Sequence, residues 1–234
     1  KDGTLIDVHY YWTSMIKIRA SEITNKWFNG ENRANFETGL VDLMGVDIET
    51  NKLKPEGPVG VKSRDYIVGL VKDYVCKHAQ VVNNNDVELL FKDVDTITEK
   101  NLSPLLRILP GVKQLLEKIR QLGIEVVITS TDITSRATKA MDALGLKSYF
   151  TEIIGGDSVK NTKPAPDLAQ LALSKIGCHP SNVVVIGDHP VDMFMGIGAD
   201  IKTNIGVLNG ISKKENFSQC DCILVESLCD IDVV

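Results

Sequence analysis

Four short polar clusters in this chain carry residue types that could hold an anion or a hard metal ion. They are Asp2-Gly3-Thr4 in "KDGTLID", Thr129-Ser130 in "VVITST", Lys163 in "TKPAPD", and Gly187-Asp188 with Asp192 in "GDHPVD". Carboxylates are oxygen donors of the kind magnesium prefers. A lysine is a compact cation for phosphoryl oxygens, and hydroxyls with glycine N–H groups can complete an anion cradle. Taken singly, each cluster has an ordinary structural use. Asp-Gly-Thr makes a turn, Ser or Thr at a strand end makes a cap, and Lys-Pro enters a helix. Two carboxylates at a helix start favour its N-terminus. What sets them apart is that all four fall at the ends of expected strands, in one order along the chain.

The elements that must position these clusters follow from periodicity. "LPGVKQLLEKIRQLG" reads as a turn and an amphipathic helix, with Val112, Leu115, Leu116 and Ile119 at helical spacing and Gly123 as its stop. "IEVVITST" is a short β-branched run, hence a buried strand. "DITSRATKAMDALGL" is a helix for which Asp132 or Thr134 is the expected N-cap. "YFTEIIGGD", "SNVVVIGD", "DIKTNIGVL" and "CDCILVES" read as strands, and "APDLAQLALSKIGC" and "VDMFMGIGA" as helices. Strands separated by single helices make a parallel α/β sheet. In such sheets ligands bind at the carboxyl ends of the strands, where the four clusters lie. From about Tyr10 to Ser103 the pattern is helical instead, broken by the turn-rich "ETNKLKPEGPVG" and the polar "VNNNDVE", with no strand expected. The expected organisation is a Rossmann-like α/β core of residues 1–9 and 105–234 with a helical insertion at 10–104.

Composition narrows the function. The 234 residues are 43% hydrophobic, enough for one large domain or a domain with an insertion. A net charge of -5 and 6% aromatics argue against nucleic-acid and anionic-membrane binding. They do not argue against a small anionic substrate, because a metal and one lysine reverse the sign locally. The five cysteines have no framework spacing, which fits reduced thiols and a cytoplasmic location. No apolar run is long enough to span a bilayer.

The four clusters in this order, with a helical insertion between the first and second, resemble the haloacid dehalogenase-like hydrolases, most closely the phosphoglycolate-phosphatase-like branch. That family's motifs are D-x-D-G-T, a strand ending in Thr or Ser, a lysine often in K-P-x-P, and G-D-x-x-x-D. The resemblance covers essentially the whole chain. It implies a Mg2+-dependent phosphatase that acts on a small phosphorylated metabolite through an aspartyl-phosphate, as a monomer or homodimer. Lys1 then matches the x of the first motif, and the nucleophilic aspartate is expected one position before Lys1, at the end of a further strand. On the same pattern Asp2 is the acid/base and lends its backbone carbonyl to the metal. Asp188 is a direct metal ligand, and Asp192 lies in its outer shell. Lys163 and the Thr129 hydroxyl hold the phosphoryl group, with the N–H groups of Gly3 and Ser130.

The helical insertion corresponds to the family's cap, which carries specificity. Within "GPVGVKSRDY", Lys62 and Arg64 are candidate substrate contacts, and His9 is a third. The sequence does not name the substrate. Two alternatives stay open: a β-phosphoglucomutase-like phosphomutase, and a non-catalytic relative that binds a phosphorylated ligand or a protein.

Overall fold

Helical spacing of apolar residues builds the first of two units. The computed structural model describes residues 1–30, 32–59 and 62–233. Those residues divide into a helical unit, His9–Leu105, and an α/β unit, Lys1–Val8 with Leu106–Val234. The helical unit consists of α1 (Val8–Trp27), α2 (Arg33–Leu43), α3 (Arg64–His78) and α4 (Asn84–Lys100). Ile16, Ala20 and Ile23 of α1 are fully buried, as are Val71 and Val75 of α3 and Val87 and Phe91 of α4. Spacings of three and four put each set on one face. The polar run "VNNNDVE" is more than an interruption. Asn83 accepts the N–H of Asp86 at 3.0 Å, and Asp86 returns the bond to the Asn83 N–H at 2.8 Å, closing a box that starts α4.

This unit also holds strands that the sequence does not suggest. β1 (Val46–Asp47) and β2 (Lys52–Leu53) pair antiparallel, Val46 opposite Leu53. Strands of two residues have no period to detect. The ribbon is set by its turn, where Asp47 Oδ1 accepts the N–H groups of Glu49 and Thr50, both at 2.9 Å.

In the α/β unit the Val- and Ile-rich runs become β3 (Val127–Thr129), β4 (Glu152–Ile154), β5 (Val184–Gly187), β6 (Thr203–Val207) and β7 (Ile223–Val225). β3 pairs with β4, and β5, β6 and β7 pair in that order; every one of these ladders is parallel. The helices are α5 (Val112–Gln121), α6 (Thr134–Ala143), α7 (Asp167–Ile176) and α8 (Pro190–Gly198). Ile154 of β4, Leu168 and Ala169 of α7 and Met195 and Ala199 of α8 share one buried cluster with Ile201. Burial of apolar area is the main force holding these helices on the strands. No helix among the described residues is long and apolar enough to cross a membrane.

The loops after β3 and β4 are nested, and this fixes the Thr129-Ser130 cluster against the end of β4. Ser130 N–H donates to Ile154 O at 2.9 Å and Gly156 N–H to Asp132 O at 2.8 Å. The start of α6 differs from expectation here. Its N-cap position is Ile133, without a side-chain cap, and neither Asp132 nor Thr134 caps from within the segment. Asp157, from the β4 loop, accepts both the N–H and the hydroxyl of Thr134 at 2.8 Å. A cap borrowed from a loop more than twenty residues away leaves no local signal. The backbone N–H bond from Thr134 is the main reason the Asp157 carboxyl sits below its ordinary range. The nesting requires Gly155, since a Cβ there would lie 2.1 Å from the Thr134 nitrogen. Its φ of -93° suits any residue, so the requirement is space. Gly155→Ala is expected to destabilise the fold by about 1–3 kcal/mol, the range for overpacking, measured by urea denaturation.

Candidate functional site

A buried ion pair joins three of the four clusters. Lys163 Nζ lies 2.6 Å from Asp192 Oδ1 and donates to the Thr129 carbonyl at 2.8 Å. Their side chains are only 8% and 11% exposed. Asp192 reaches this point from the first turn of α8, where its Oδ2 also accepts the His189 N–H at 3.1 Å. The carboxylate folds back over the end of β5, where a Cβ on Gly187 would lie 2.5 Å from Asp192 Cγ. Burial by itself would raise the Asp192 carboxyl. The charge and hydrogen bond of Lys163 outweigh it and hold the group below its ordinary value.

Asp188 stands at the same strand end, and no side-chain cation pairs with it among the described residues. Its Oδ1 accepts the Thr4 hydroxyl at 2.8 Å. Its Oδ2 faces backbone: a Cβ built on either Gly3 or Gly210 would stand 2.1 Å from it. Gly3 has a second reason to be glycine, a φ of +81° that L side chains rarely adopt. Burial, then the neighbouring Asp192 charge, push the Asp188 carboxyl from the ordinary 3.8 to about 6.

Asp2 is held on the rim of this group. Its two carboxylate oxygens lie 2.8 and 3.0 Å from Lys1 Nζ. Lys1 Nζ also lies 3.4 Å from Asp132 Oδ2, and Arg136 lies 3.3 Å from Asp132 Oδ1. The Thr129 hydroxyl turns away from this group and contacts Met195 Sδ at 3.8 Å. Strand alternation explains it, because neighbouring residues face opposite sides. Ser130 is the buried hydroxyl beside it, with Oγ accepting the Asp132 N–H at 3.1 Å.

The structure therefore brings together Asp2, Gly3, Thr129, Ser130, Lys163, Asp188 and Asp192. Sequence reasoning gave no individual site role to Thr4, Lys1 or Asp132, and it did not name Gly210. Thr4 and Lys1 lie within the first motif and could have been questioned there. Gly210 follows β6, and a glycine at a strand's carboxyl end was a usable signal. The three specificity candidates lie in the helical unit. His9 Nδ1 accepts the Leu53 N–H at 3.1 Å, beside the short ribbon. Arg64 directs Nε to Glu88 at 2.9 Å and Nη1 to Asp95 at 2.6 Å. The other Asp95 oxygen takes Arg19 at 2.8 Å, and Arg19 and Arg64 both lie over the Phe91 ring. Lys62 is exposed, 5.8 Å from the Tyr66 ring centroid. Gly60 and Val61 of that loop lie outside the described residues.

A cavity of about 700 Å³ adjoins the cluster, with Lys1, Thr129, Lys163 and Asp192 on its wall. The rest of its lining is mainly apolar and includes Val127 and Ile128 of β3 and Val184, Val185 and Ile186 of β5. The anion-binding chemistry lies at its polar edge.

As a metal site the donors are all oxygens. No group of three or more His, Cys, Asp or Glu suited to a metal occurs among the described residues. Magnesium is commonly held by one or two carboxylates and several waters, so Asp188 with a backbone carbonyl is a sufficient protein share. Asp188 Oδ2 accepts no hydrogen bond among the described residues, which leaves it available to a cation.

The raised Asp188 carboxyl sets a pH dependence for the metal-free protein. Between pH 3.8 and about 6 the folded state keeps a proton that the unfolded state has lost. Stability must then fall as pH rises through about 6, by about 3 kcal/mol for a shift of this size. Asp188→Asn is expected to be more stable than the parent above pH 6, the gap closing below pH 4. Thermal melts in EDTA across that range check it.

A family model described as haloacid dehalogenase-like hydrolase matches residues 49–205. Pyrophosphatase PpaX of Oceanobacillus iheyensis is 25% identical over 177 residues, 72% of this chain and 82% of that protein. A predicted phosphoglycolate phosphatase from Haemophilus somnus superposes with a TM-score of 0.69 at 20% identity, covering 98% of this chain and 92% of the other. CbbY from Rhodobacter sphaeroides, crystallised with phosphate, gives 0.58 at 17% identity over 98% and 92% of the two chains. At such identities these two structures speak to the fold alone. The family model spans more than half the chain, over the strands that carry three of the four clusters, and the chain belongs to the haloacid dehalogenase-like hydrolases.

Proposed function

We propose that this hydrolase is a Mg2+-dependent phosphatase of a small phosphorylated metabolite. The observation that carries the reading is the buried Lys163–Asp192 pair, 2.6 Å apart, beside an Asp188 oxygen without a hydrogen-bond partner among the described residues. A phosphate dianion needs fixed positive charge on one side and a cation-binding oxygen on the other. The relatives' names, a pyrophosphatase and a predicted phosphoglycolate phosphatase, point to the same substrate class.

Phosphate-monoester hydrolysis is among the slowest uncatalysed reactions, so a covalent route in two easier steps suits it. In the family's first motif, D-x-D-G-T, the attacking carboxylate is the first aspartate, two positions before the one that Asp2 matches. That carboxylate bonds to phosphorus, the bond from phosphorus to the leaving oxygen breaks, and Asp2 gives that oxygen its proton. Asp2 then takes a proton from water as the water attacks the aspartyl-phosphate. Phosphate leaves and the carboxylate is restored. One carboxyl group serves both steps because the first leaves it as the base that the second requires. Asp188 and the Asp2 carbonyl would hold Mg2+, which when bound supplies charge neutralisation and in-line templating. Lys163 grips phosphoryl oxygens while Asp192 and the Thr129 carbonyl aim its ammonium group. With the Thr129 hydroxyl turned to Met195, the hydroxyl donor in this reading is Ser130.

Turnover of p-nitrophenyl phosphate, then of a panel of phosphorylated metabolites, tests the reading. Phosphate release should require Mg2+ and stop with EDTA. Asp2→Asn is expected to lower kcat by about 10²–10⁴-fold, the usual share of acid–base catalysis, with an unchanged circular dichroism spectrum. Parent-like activity in Asp2→Asn rules out the acid/base role. Ser130→Ala should lower kcat by more than Thr129→Val; the reverse order returns the donor role to Thr129.

A further inference from the structure

Gly210 belongs to none of the four clusters. It lies in the loop after β6, whose first residue, Leu208, donates its N–H to Val225 O at 3.0 Å. Three facts make its identity informative. A Cβ built on Gly210 would stand 2.1 Å from Asp188 Oδ2 and 2.8 Å from both Cβ and Cγ of that residue. Its φ lies outside the left-handed region, so the backbone itself would accept any L residue. The displaced atom would be the carboxylate oxygen of Asp188 that takes no hydrogen bond among the described residues, the other being held by Thr4 at 2.8 Å. Glycine is thus required here by Asp188 and not by the turn.

We infer that Gly210 is a positioning residue for a divalent cation: its bare Cα shapes the space in which Asp188 presents Oδ2. The loop after β6 then forms a wall of the site, opposed to nothing larger than the hydrogen atoms of Gly210. Any side chain at 210 must turn the Asp188 carboxylate or push the loop outward. Turning it breaks the Thr4 bond or points Oδ2 away from the cation. The inference rests on the reading of Asp188 as a metal ligand, and it adds a residue through which that ligand acts.

Direct Mg2+ binding by isothermal titration calorimetry, without substrate, compares the parent with Gly210→Ala. The variant is expected to bind at least about 10-fold more weakly, as for loss of a group that orients a ligand. A double-mutant cycle in EDTA compares melting temperatures of the parent, Gly210→Ala, Asp188→Ala and the double variant. The loss caused by Gly210→Ala should largely vanish in the Asp188→Ala background, where the carboxylate is gone. A parent that binds no Mg2+ overturns the reading of Asp188, and the melting cycle then decides on its own whether Gly210 acts through Asp188. Equal Mg2+ affinity in parent and Gly210→Ala overturns the inference, as does an equal loss of stability in both backgrounds. Should Gly210→Ala fail to fold, recovery of folding in the double variant supports the contact, and failure of both variants refutes it.

Discussion

The buried pair of Lys163 and Asp192 is the interaction on which the rest of the polar cluster depends. Two carboxylates, Asp188 and Asp192, stand at the end of one strand and the start of the next helix. Buried like charges repel, and one of them must be compensated. Lys163 compensates Asp192, so that carboxyl stays below its ordinary range while Asp188 rises to about 6. The asymmetry divides the two acids. One is an anchor for a cationic side chain. The other is an under-neutralised oxygen donor that a metal ion would relieve. Removing one member of a buried pair generally costs more than the pair contributes, because the survivor is stranded. The lysine is therefore bound to the geometry of this strand end even apart from any chemistry.

Close backbone approach does the remaining work. Gly187 lets Asp192 fold back over β5, Gly3 and Gly210 crowd Asp188 Oδ2, and Gly155 admits the α6 start against the β4 loop. At each point a methyl group would meet an atom closer than 3 Å. Side chains and turns that could have filled these spaces are excluded, which leaves the carboxylates few alternative rotamers. Preorganisation of this kind is what electrostatic catalysis needs, since charges already in place do not reorganise during the reaction.

The helical unit shows a different way of keeping charge inside. Arg19 is 6% exposed, and it shares Asp95 with Arg64 while both guanidinium groups lie on Phe91. A buried guanidinium without a carboxylate would be untenable, and Asp95 meets that need for two of them. Burial would raise the Asp95 carboxyl, yet the bonds from Arg64 and Arg19 hold it low. In the sequence Arg64 reads as a candidate substrate contact. Packing commits its Nε to Glu88 and its Nη1 to Asp95.

Periodicity and turn chemistry alone determined the alternation of strands and helices after residue 105, the helical character before it, and the placement of Thr129 and Asp188 at strand ends. These are local properties, written in β-branched runs, three-four spacing and glycine stops. Tertiary structure decided what no local pattern encodes. It turned the Thr129 hydroxyl toward Met195 and left Ser130 as the neighbouring buried hydroxyl. It capped α6 with Asp157 and paired two-residue strands across the turn at Asp47. It set Gly210 against Asp188 from more than twenty residues away. Each of these outcomes depends on two segments distant in sequence meeting within a few ångströms. A single chain position carries its own propensity, and it carries no record of the partner that burial will bring to it.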